Sequence, residues 1–342
     1  YREDLDASIL NTTPTDDYKN FDRGLFSINM FDWQNEENND LEKWVKTNTI
    51  LRYTPNGNAV EDENIAGIRS TALMGYSKTK QTAIAQNASF GSIAFENFER
   101  FYASGGAVTT ATSGTVYMEG GMDVDFAQAD ISTTVSHTGV NSIKLKKQPS
   151  ENDPFSFGVV EVTPEVQTDG LIVRMWVKCP AGQTLVNNNV SDLILEYKTQ
   201  GAGSWFYNAY TGNNGSPMTK IANAGDWALY EGRVSPADLY ILGIGSGGPL
   251  ELAVFVKDLK DYGAAVYIDD IRAQPASSEM ICNVFDHREK LVATFDDQHF
   301  ALIYQYNDEG DLVKKLKETE FGIKTLSQSA YNTGATNAHS TY

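Results

Sequence analysis

Short segments in the middle of the chain show either alternating apolar and polar residues or an apolar run. The segments lie near residues 93–98, 115–126, 142–147, 155–163, 171–178, 192–198, 204–210, 226–234, 250–256 and 264–273. Turns rich in glycine, asparagine and aspartate separate them, for example at Asp169-Gly170 and at Gly212-Asn213-Asn214-Gly215. Because the side chains of a strand point alternately to opposite faces, this pattern predicts many short strands, as in a sandwich or barrel. No stretch here has the period of a helix. We therefore expect an all-β sandwich over residues 93–275.

The first 92 residues show weaker patterns and predict an irregular segment that contains some strands. Residues 1–45 are polar, with scattered aromatic residues that favour docking onto something larger. Strand-like pieces follow around residues 49–53 and 83–85, and Thr54-Pro55-Asn56-Gly57 forms a turn after the first. Residues 70–76 fit either a short helix or a buried strand, and periodicity does not decide between the two.

Residues 276–330 contain a repeat with a shift of 21 residues. The shift aligns Phe285-Asp286-His287-Arg288-Glu289-Lys290-Leu291 with Tyr306-Asn307-Asp308-Glu309-Gly310-Asp311-Leu312. Periods near this length indicate arrays of small hairpins. The copies resemble the Tyr-Asp-x-x-Gly-Arg-Leu pattern of YD repeats, also called RHS repeats, although Glu289 replaces the glycine and Asn307 the aspartate. Two repeats do not bury a continuous core, so the hairpins either lean on the sandwich or belong to a longer repeat protein.

Composition and charge narrow the class of protein. The chain has 342 residues, which suits two or three folded units, and 41% of them are hydrophobic, enough for a packed core. The formal net charge of −18 disfavours nucleic acid and anionic lipid as partners and permits divalent cation sites. Cys179 and Cys282 fit two buried free thiols better than a disulfide.

The ends of the chain and its hydropathy give further expectations. No apolar run reaches membrane-spanning length. No signal peptide is visible and the chain begins at Tyr1, which we interpret as a processed or partial chain. Residues 331–342 are small and polar, and we expect a flexible tail there.

Two segments that bracket the sandwich region resemble a known module. They are His137-Thr138-Gly139-Val140-Asn141-Ser142-Ile143-Lys144-Leu145 and Ala265-Val266-Tyr267-Ile268-Asp269-Asp270-Ile271. Each pairs a polar turn with an alternating apolar strand. Together they resemble the early and final strands of the jelly-roll sandwich found in many carbohydrate-binding modules. The resemblance implies a jelly roll that binds a ligand and does not catalyse.

The order of segments along the chain carries a second resemblance. A Tyr-x-Pro-x-Gly-x-x-x-Glu turn at residues 53–61 is followed by Ala94-Phe95-Glu96-Asn97-Phe98-Glu99, the jelly roll and the YD-like hairpins. From about residue 44 to residue 328, this order resembles the C-terminal part of large secreted surface proteins of Bacteroidota bacteria. The resemblance implies an extracellular location at the outer face of the outer membrane. It also implies partners in an outer-membrane protein complex, without direct insertion into the membrane.

The jelly-roll resemblance further implies a structural calcium ion. Its ligands would be a first-strand carboxylate, Glu96 or Glu99, the turn from Thr138 to Ser142, and a last-strand carboxylate, Asp269 or Asp270. Calcium takes six to eight oxygen ligands in irregular geometry, so scattered carboxylates and carbonyls suffice. Adjacent residues of a strand point to opposite faces, so we expect one of the two aspartates to face the ion. The alternative is that both make ordinary turn bonds or solvent contacts.

A glycan site is predicted in the segment Trp205-Phe206-Tyr207-Asn208-Ala209-Tyr210. Sugars stack their apolar faces on aromatic rings while amides bond their hydroxyl groups. We therefore interpret Trp205, Tyr207 and Tyr210, with Asn208, as a ligand platform. Core packing of the same aromatic side chains is the alternative. Trp176 and Trp227 are predicted to lie in the core.

No motif in the sequence predicts catalysis. Paired carboxylates are the usual glycosidase groups, but with 45 acidic residues any spacing can be found. The four histidines form no zinc-binding pattern, and Ser246 lacks the strand–turn–helix context of a hydrolase nucleophile. We therefore expect a non-enzymatic protein. The first functional hypothesis is an extracellular binding module with a glycan ligand, and the alternative is a structural or partner-docking subunit of a surface or secretion-associated assembly.

Overall fold

The computed structural model describes most of the chain between residues 46 and 329. The described residues are 46–103, 106–107, 115–118, 123–125, 129–146, 154–180, 185–187, 190–202, 207–208, 213–257 and 266–329. The predicted N-terminal stretch 1–45 and the predicted tail 331–342 lie outside them. The described residues form antiparallel sheets with a β-sandwich at the centre, which confirms the predicted all-β class.

The strands and helices have the following bounds. Before the sandwich lie β1 (Asn48–Tyr53), β2 (Ala59–Asn64), β3 (Arg69–Gly75) and β4 (Lys80–Gln86). The middle of the chain contains a 3-10 turn at Phe90–Ser92, then β5 (Ala94–Glu96), β6 (Phe101–Ala103), β7 (Gly106–Ala107), β8 (Thr115–Met118), β9 (Asp123–Asp125), β10 (Ala129–Ser132), β11 (Ser142–Leu145), β12 (Phe155–Val162), α1 (Pro164–Asp169), β13 (Leu171–Lys178), β14 (Val186–Asn187), β15 (Val190–Ser191), β16 (Leu193–Thr199), β17 (Tyr207–Asn208), β18 (Asn213–Asn214), β19 (Ser216–Pro217), β20 (Thr219–Ala224), β21 (Trp227–Val234), α2 (Pro236–Leu242), β22 (Gly248–Val256) and β23 (Tyr267–Pro275). Then follow β24 (Glu279–Phe285), β25 (Leu291–Phe295), β26 (Ala301–Tyr306), β27 (Leu312–Thr319) and β28 (Gly322–Gln328).

The sandwich consists of two facing antiparallel sheets. One has the strand order β10-β11-β23-β13-β21-β20, with β5 also pairing with β23, and the other has the order β12-β22-β16-β19. The first hydrophobic core lies between them and includes Phe155, Phe157, Leu171, Val173, Met175, Leu195, Tyr197, Leu252, Val254 and Ile268. Among the described residues, the strands of these two sheets extend from Ala94 to Pro275.

Two short helices lie within the region for which the sequence predicted none. Helix α2 starts with a capping box, in which the Ser235 hydroxyl accepts the Asp238 amide and the Asp238 carboxylate accepts the Ser235 amide. It ends at Gly243, which has left-handed dihedral angles. Helix α1 is shorter still, with six residues. Helices of this length are too short to give a periodic hydrophobic signal, so only their cap residues could have predicted them. Among the described residues, no helix is long and apolar enough to cross a membrane.

The N-terminal strands and the C-terminal hairpins belong to one sheet. Its nine strands have the order β1-β2-β3-β4-β24-β25-β26-β27-β28. The two halves meet where β4 pairs with β24, in a register that sets Ala85 opposite Met280 and Ala83 opposite Cys282. Residues 70–76, for which helix and strand were both open, lie largely in strand β3. The sandwich is thus an insertion between two neighbouring strands of an antiparallel meander.

Five turns of this sheet share one hydrogen-bonding pattern. The first residue of each turn bonds through its amide to the carbonyl four positions on, and its carbonyl accepts the amide three positions on. Its side-chain oxygen also accepts the amide four positions on. These first residues are Thr54, Asn64, Asp286, Asp296 and Asn307. Because Asp296 begins a turn between the other two C-terminal ones, the shift of 21 residues covers two hairpins.

A second core joins the nine-stranded sheet to the sandwich. It lies against the outer face of the larger sandwich sheet and includes Ala83, Ala85, Phe95, Trp176, Ala222, Trp227, Leu229, Met280, Cys282, Ala293 and Phe295. The predicted core tryptophans, Trp176 and Trp227, therefore fill the interface between the two layers. Cys282 is buried there and Cys179 is half-buried, and both are free thiols. The hairpins lean on the sandwich, as one of the two sequence alternatives proposed.

Candidate functional site

The turn at residues 137–142 and the last sandwich strand meet beneath the hairpin sheet. The Thr138 hydroxyl lies 2.9 Å from each carboxylate oxygen of Asp270. The Ser142 hydroxyl donates to the Val135 carbonyl at 2.6 Å and so closes the turn on itself. The turn and the Asp269-Asp270 pair are therefore in contact, although about 130 residues separate them in the sequence.

His137 links the sandwich to the hairpin sheet through two carboxylates. Its Nδ1 lies 2.8 Å from Asp270 Oδ2, and its Nε2 lies 2.9 Å from Glu318 Oε1 on strand β27. Burial acts to lower the pKa of His137, but the two carboxylates outweigh it and raise the pKa to about 9. At neutral pH both ring nitrogens therefore carry protons, and each donates to one carboxylate.

Aromatic rings enclose this imidazolium. Its ring stacks on Trp176 with the centroids 4.2 Å apart and faces Phe295 at 6.0 Å. Trp227 contacts it edge-on at 5.5 Å. A cation over an indole face is favourable, and the effect grows when water is excluded. The same Trp176 donates its indole N–H to the His299 carbonyl at 3.0 Å, which fixes the hairpin turn against the sandwich.

The two adjacent aspartates are both fully buried because the strand contains a bulge. The register of β13 with β23 shifts between Arg174 and Trp176, and Asp270 has a φ of +48°. The Asp270 carboxylate bonds His137 and Thr138, whereas Asp269 accepts the amides of His137 at 2.7 Å and of Asp270 at 2.8 Å. Burial and the neighbouring Asp270 charge raise the pKa of Asp269 well above its ordinary value. The expectation that Asp269 and Asp270 would point to opposite faces of the strand assumed a regular strand, and the bulge breaks that regularity.

Glu96 and Glu99 lie on the other side of the turn. Glu96 is 2% exposed on β5, opposite Ile271, and its Oε1 accepts the Phe98 amide at 2.8 Å. Glu99 Oε1 accepts the amides of Val140 and Asn141 at 2.7 and 2.8 Å. Burial is the main cause that raises the pKa of Glu99 to about 7.

Gly139 makes room for the Glu99 carboxylate. It has a φ of +59°, and a Cβ atom on it would lie 2.2 Å from Glu99 Oε1. The dihedral angle favours glycine at this position, and a larger residue would force the Glu99 carboxylate to shift away from the Val140 and Asn141 amides. The glycine of the Thr-Gly-x-x-Ser turn thus leaves space for the Glu99 side chain.

The predicted calcium ligands therefore lie within one region, but each makes bonds of its own. Among the described residues, no three His, Cys, Asp or Glu side chains are grouped so as to hold one metal ion. A calcium site here would depend on the backbone carbonyls of the turn in addition to carboxylates, as the prediction assumed. Calcium binding remains a prediction.

The predicted glycan platform is described only in part. Tyr207 and Asn208 form strand β17, which pairs with Asn213 and Asn214 in a separate two-stranded sheet. The side chains of this hairpin, and all of Trp205 and Tyr210, lie outside the described residues. The segment was expected to be a strand of the sandwich itself, and its described part is instead a hairpin outside both sandwich sheets.

Three residues that join the sandwich to the hairpin sheet were missed from the sequence: Glu318, His299 and Arg272. Arg272 is 1% exposed and donates to the carbonyls of Met280, Asp296 and Asp297, so it fastens β23 to the hairpin layer. Burial lowers the pKa of Arg272 to about 10. The Nε2 atom of His299 lies 2.7 Å from the Asp270 carbonyl. Only a contact between distant parts of the chain gives these residues a role, and no local motif marks them.

Comparison with known proteins gives a limited result. No family model matches the sequence, and no curated protein matches it. Among solved structures, the chain is similar to the CBM22-1 xylan-binding domain of Xyn10C from Paenibacillus barcinonensis, with 15% identity over 54% of this chain and 94% of that one and a TM-score of 0.28. The CBM22-1-CBM22-2 tandem domain of the same protein matches with 13% identity over 64% of this chain and 66% of that one and a TM-score of 0.30. TM-scores this low do not assign a ligand, so function has to be argued from the residues of this chain.

Proposed function

We propose that this protein is a non-catalytic binding protein of the bacterial cell surface and that its jelly roll binds a glycan. The observation that supports the glycan ligand is the position of the β17–β18 hairpin outside both sandwich sheets. The alternative was that these aromatic residues pack in the core, which would be expected of a strand of the sandwich. A hairpin outside both sheets favours that alternative less. In the backbone ladder of this hairpin, Tyr207 is paired with Asn214, and Asn208 with Asn213. Aromatic rings and amides are the groups that recognise sugars.

A glycan array with the intact protein tests this proposal. The array is followed by Trp205→Ala, with Phe321→Ala as the matched control, because Phe321 is a 90% exposed aromatic residue on the hairpin sheet. We expect Trp205→Ala to weaken binding of an array hit at least tenfold and Phe321→Ala to leave it unchanged. Full binding by Trp205→Ala would remove this residue from the site, and an array without hits would overturn the glycan ligand.

A second candidate function, the docking of other surface proteins, is favoured by a different observation. One sandwich sheet is covered by the nine-stranded sheet, whose two edge strands expose large apolar side chains. On β28, Ile323 is 60% and Leu326 is 58% exposed, and on β1 Tyr53 is 57% exposed. Apolar side chains exposed on an edge strand are typical of sites that pair with another strand. Mass spectrometry of proteins that co-purify with the native protein, under conditions in which Leu326→Lys loses them, tests this candidate.

We also propose that the jelly roll holds a structural calcium ion at Glu96, Asp269 and the backbone carbonyls of the turn from Thr138 to Ser142. The support is electrostatic. Glu96, Asp269 and Asp270 are almost completely buried within one region. The imidazolium of His137 bonds only Asp270 of these three carboxylates. A cation beside Asp269 would favour the charged form of its carboxylate, which burial and the neighbouring Asp270 charge disfavour.

Melting with and without a chelator tests the ion. A ligand present at about 100 times its Kd stabilises by roughly 2.7 kcal/mol, which corresponds to an increase in Tm of roughly 5 °C. We expect that increase when calcium is added to chelator-treated protein, and we expect Glu96→Gln to abolish it. An unchanged Tm would remove calcium from the proposal without affecting the glycan experiment.

The surface location rests on the sequence resemblance and needs its own experiment. Protease treatment of intact cells of the source bacterium should remove the protein while sparing cytoplasmic markers. Protection of the protein until the cells are lysed would place it inside.

A further inference from the structure

An open cleft lies between the turn at residues 137–142 and the hairpin sheet, and its lining contains no residue of the β17–β18 hairpin. Its volume is about 350 Å³, and it is lined by the turn at residues 137–140, by Glu99, and by hairpin residues that include Asp286, His287 and Tyr304. This volume lies at the lower end of the range of small-molecule sites, and it suits a ligand of one or two rings. The two walls come from layers that are fastened together by Arg272 and His137, so the cleft has fixed walls.

Two carboxylates in the cleft are oriented in the same way. Glu99 Oε1 accepts the amides of Val140 and Asn141, and Asp286 Oδ1 accepts the amides of Arg288 and Lys290, each at 2.7–2.8 Å. The second oxygen of each carboxylate accepts no hydrogen bond from a described residue. The backbone therefore holds both groups in place and leaves one acceptor on each for a ligand.

The rest of the lining is apolar or aromatic. Val292, Ala293 and Ile303 contribute aliphatic surface, and Tyr304 contributes a half-buried ring. The Lys315 ammonium lies 5.4 Å from the centroid of this ring. His287 is exposed at the cleft and supplies a further polar group. Fixed acceptors beside an aromatic ring match a molecule with hydroxyl groups around an apolar face.

The charge of the lining decides between classes of such molecules. Glu99 and Asp286 both line the cleft, and the Asp286 charge adds to the burial that raises the pKa of Glu99. An anionic ligand would bring a further negative charge beside these two acidic side chains, in a protein whose formal net charge is −18. A uronic acid or a phosphate is therefore disfavoured, whereas neutral hydroxyl groups can donate to both free carboxylate oxygens.

We propose that this junction cleft is a saccharide subsite that binds one or two neutral sugar rings through Glu99, Asp286 and Tyr304. The subsite rests on the proposed glycan function and adds a second point of contact, built jointly by the sandwich and the hairpin sheet. The contact with the hairpin sheet makes the two layers one binding unit. The β17–β18 hairpin and the cleft are then separate places on a chain-like glycan.

Isothermal titration and saturation-transfer NMR with neutral disaccharides test the subsite. The probes are cellobiose, mannobiose and galactobiose, with digalacturonate as the acidic comparison. We expect at least one neutral disaccharide to bind and digalacturonate to bind at least tenfold more weakly. Absence of binding by all three neutral probes, or preference for digalacturonate, would overturn the subsite.

Variants locate the bound probe. Asp286→Asn retains an oxygen for the two turn amides but removes the charge, and Val140→Trp fills the cleft from a position that is 56% exposed. We expect each to weaken binding of the neutral probe at least fivefold, with melting temperatures near that of the wild type. Tyr240→Ala, an 86% exposed tyrosine on α2, serves as the control and should bind normally.

These variants distinguish failure of the glycan proposal from failure of the subsite proposal. Binding of the disaccharide that survives Val140→Trp but is lost in Trp205→Ala would refute the subsite and support the glycan proposal. Binding lost in Val140→Trp and retained in Trp205→Ala would support the subsite on its own.

Discussion

The buried imidazolium of His137 gives the protein a measurable dependence of stability on pH. The pKa of His137 is raised from 6.5 to about 9 by Asp270 and Glu318. A group whose pKa is higher in the folded state contributes stability below its unfolded pKa and loses it as the pH rises through its folded pKa. The difference between the two values corresponds to about 3 kcal/mol, at ~1.4 kcal/mol per pH unit. We therefore expect His137 to contribute about 3 kcal/mol to the free energy of unfolding at pH 6 and almost nothing at pH 10.

Denaturation by urea at a series of pH values measures this contribution. The variant His137→Gln retains polar atoms at the site but cannot become a cation, and it leaves two buried carboxylates without a positive partner. We expect it to be destabilised by about 3–5 kcal/mol at pH 6, the usual cost of breaking a buried ion pair. The loss should shrink as the pH rises from 6.5 to 9. Chelator in every sample keeps metal content constant.

His287→Gln is the matched control, because His287 is exposed and makes no bond to Asp270 or Glu318. Its stability should follow the wild-type pH curve. The reasoning is refuted if wild type and His137→Gln show parallel curves between pH 6 and 10, because the stability difference would then not depend on the proton of His137.

Three further substitutions test single contacts. Gly139→Ala should lower the free energy of unfolding by at least about 2 kcal/mol, since its φ is +59° and the new methyl group would collide with Glu99, and an unchanged urea midpoint would contradict this. Trp176→Phe should cost about 1–3 kcal/mol, because it leaves the buried carbonyl of His299 without its donor, and calorimetry at pH 7 measures the loss. Glu289→Gly should raise the melting temperature, with a gain of about 1 kcal/mol, because Glu289 adopts a φ of +61° where the repeat pattern has glycine, and a lower Tm would show that its side chain matters more.

The sandwich could be predicted from the sequence because its signal is local. A short apolar run such as residues 171–178, with the turn residues Asp169-Gly170 before it, is typical of a strand buried on both faces, and β13 occupies Leu171–Lys178. The link between the turn at Thr138 and the strand at Asp270 came from resemblance, and the two are in contact. The bulge at Asp270 could not be predicted, because a positive φ at a residue other than glycine has no sequence signal.

The union of the N-terminal strands with the hairpins was not predicted, although a signal was present. The turns that begin at Thr54 and Asn64 have the same bonds and the same left-handed fourth residue as those at Asp286 and Asn307. Their sequences share only a side-chain oxygen at the first position and glycine at the fourth in three of these four turns. Without the pairing of β4 with β24, that similarity is too weak to join segments separated by about 190 residues. Glu318 and His299 acquire their roles only through this pairing, which explains why they were missed.

The insertion of the sandwich between β4 and β24 has a consequence for how this polypeptide tolerates rearrangement. Gln86 and Glu279 are opposite each other in the ladder, so a tight link between them would close the meander without changing its strand order. The excised sheet would, however, present Met280, Cys282 and Phe295 to water, and the released module would bare Trp176 and Trp227. The topology therefore permits removal of the sandwich, but removal would expose the apolar surfaces that the two layers now bury against each other. We expect that exposure to destabilise both portions.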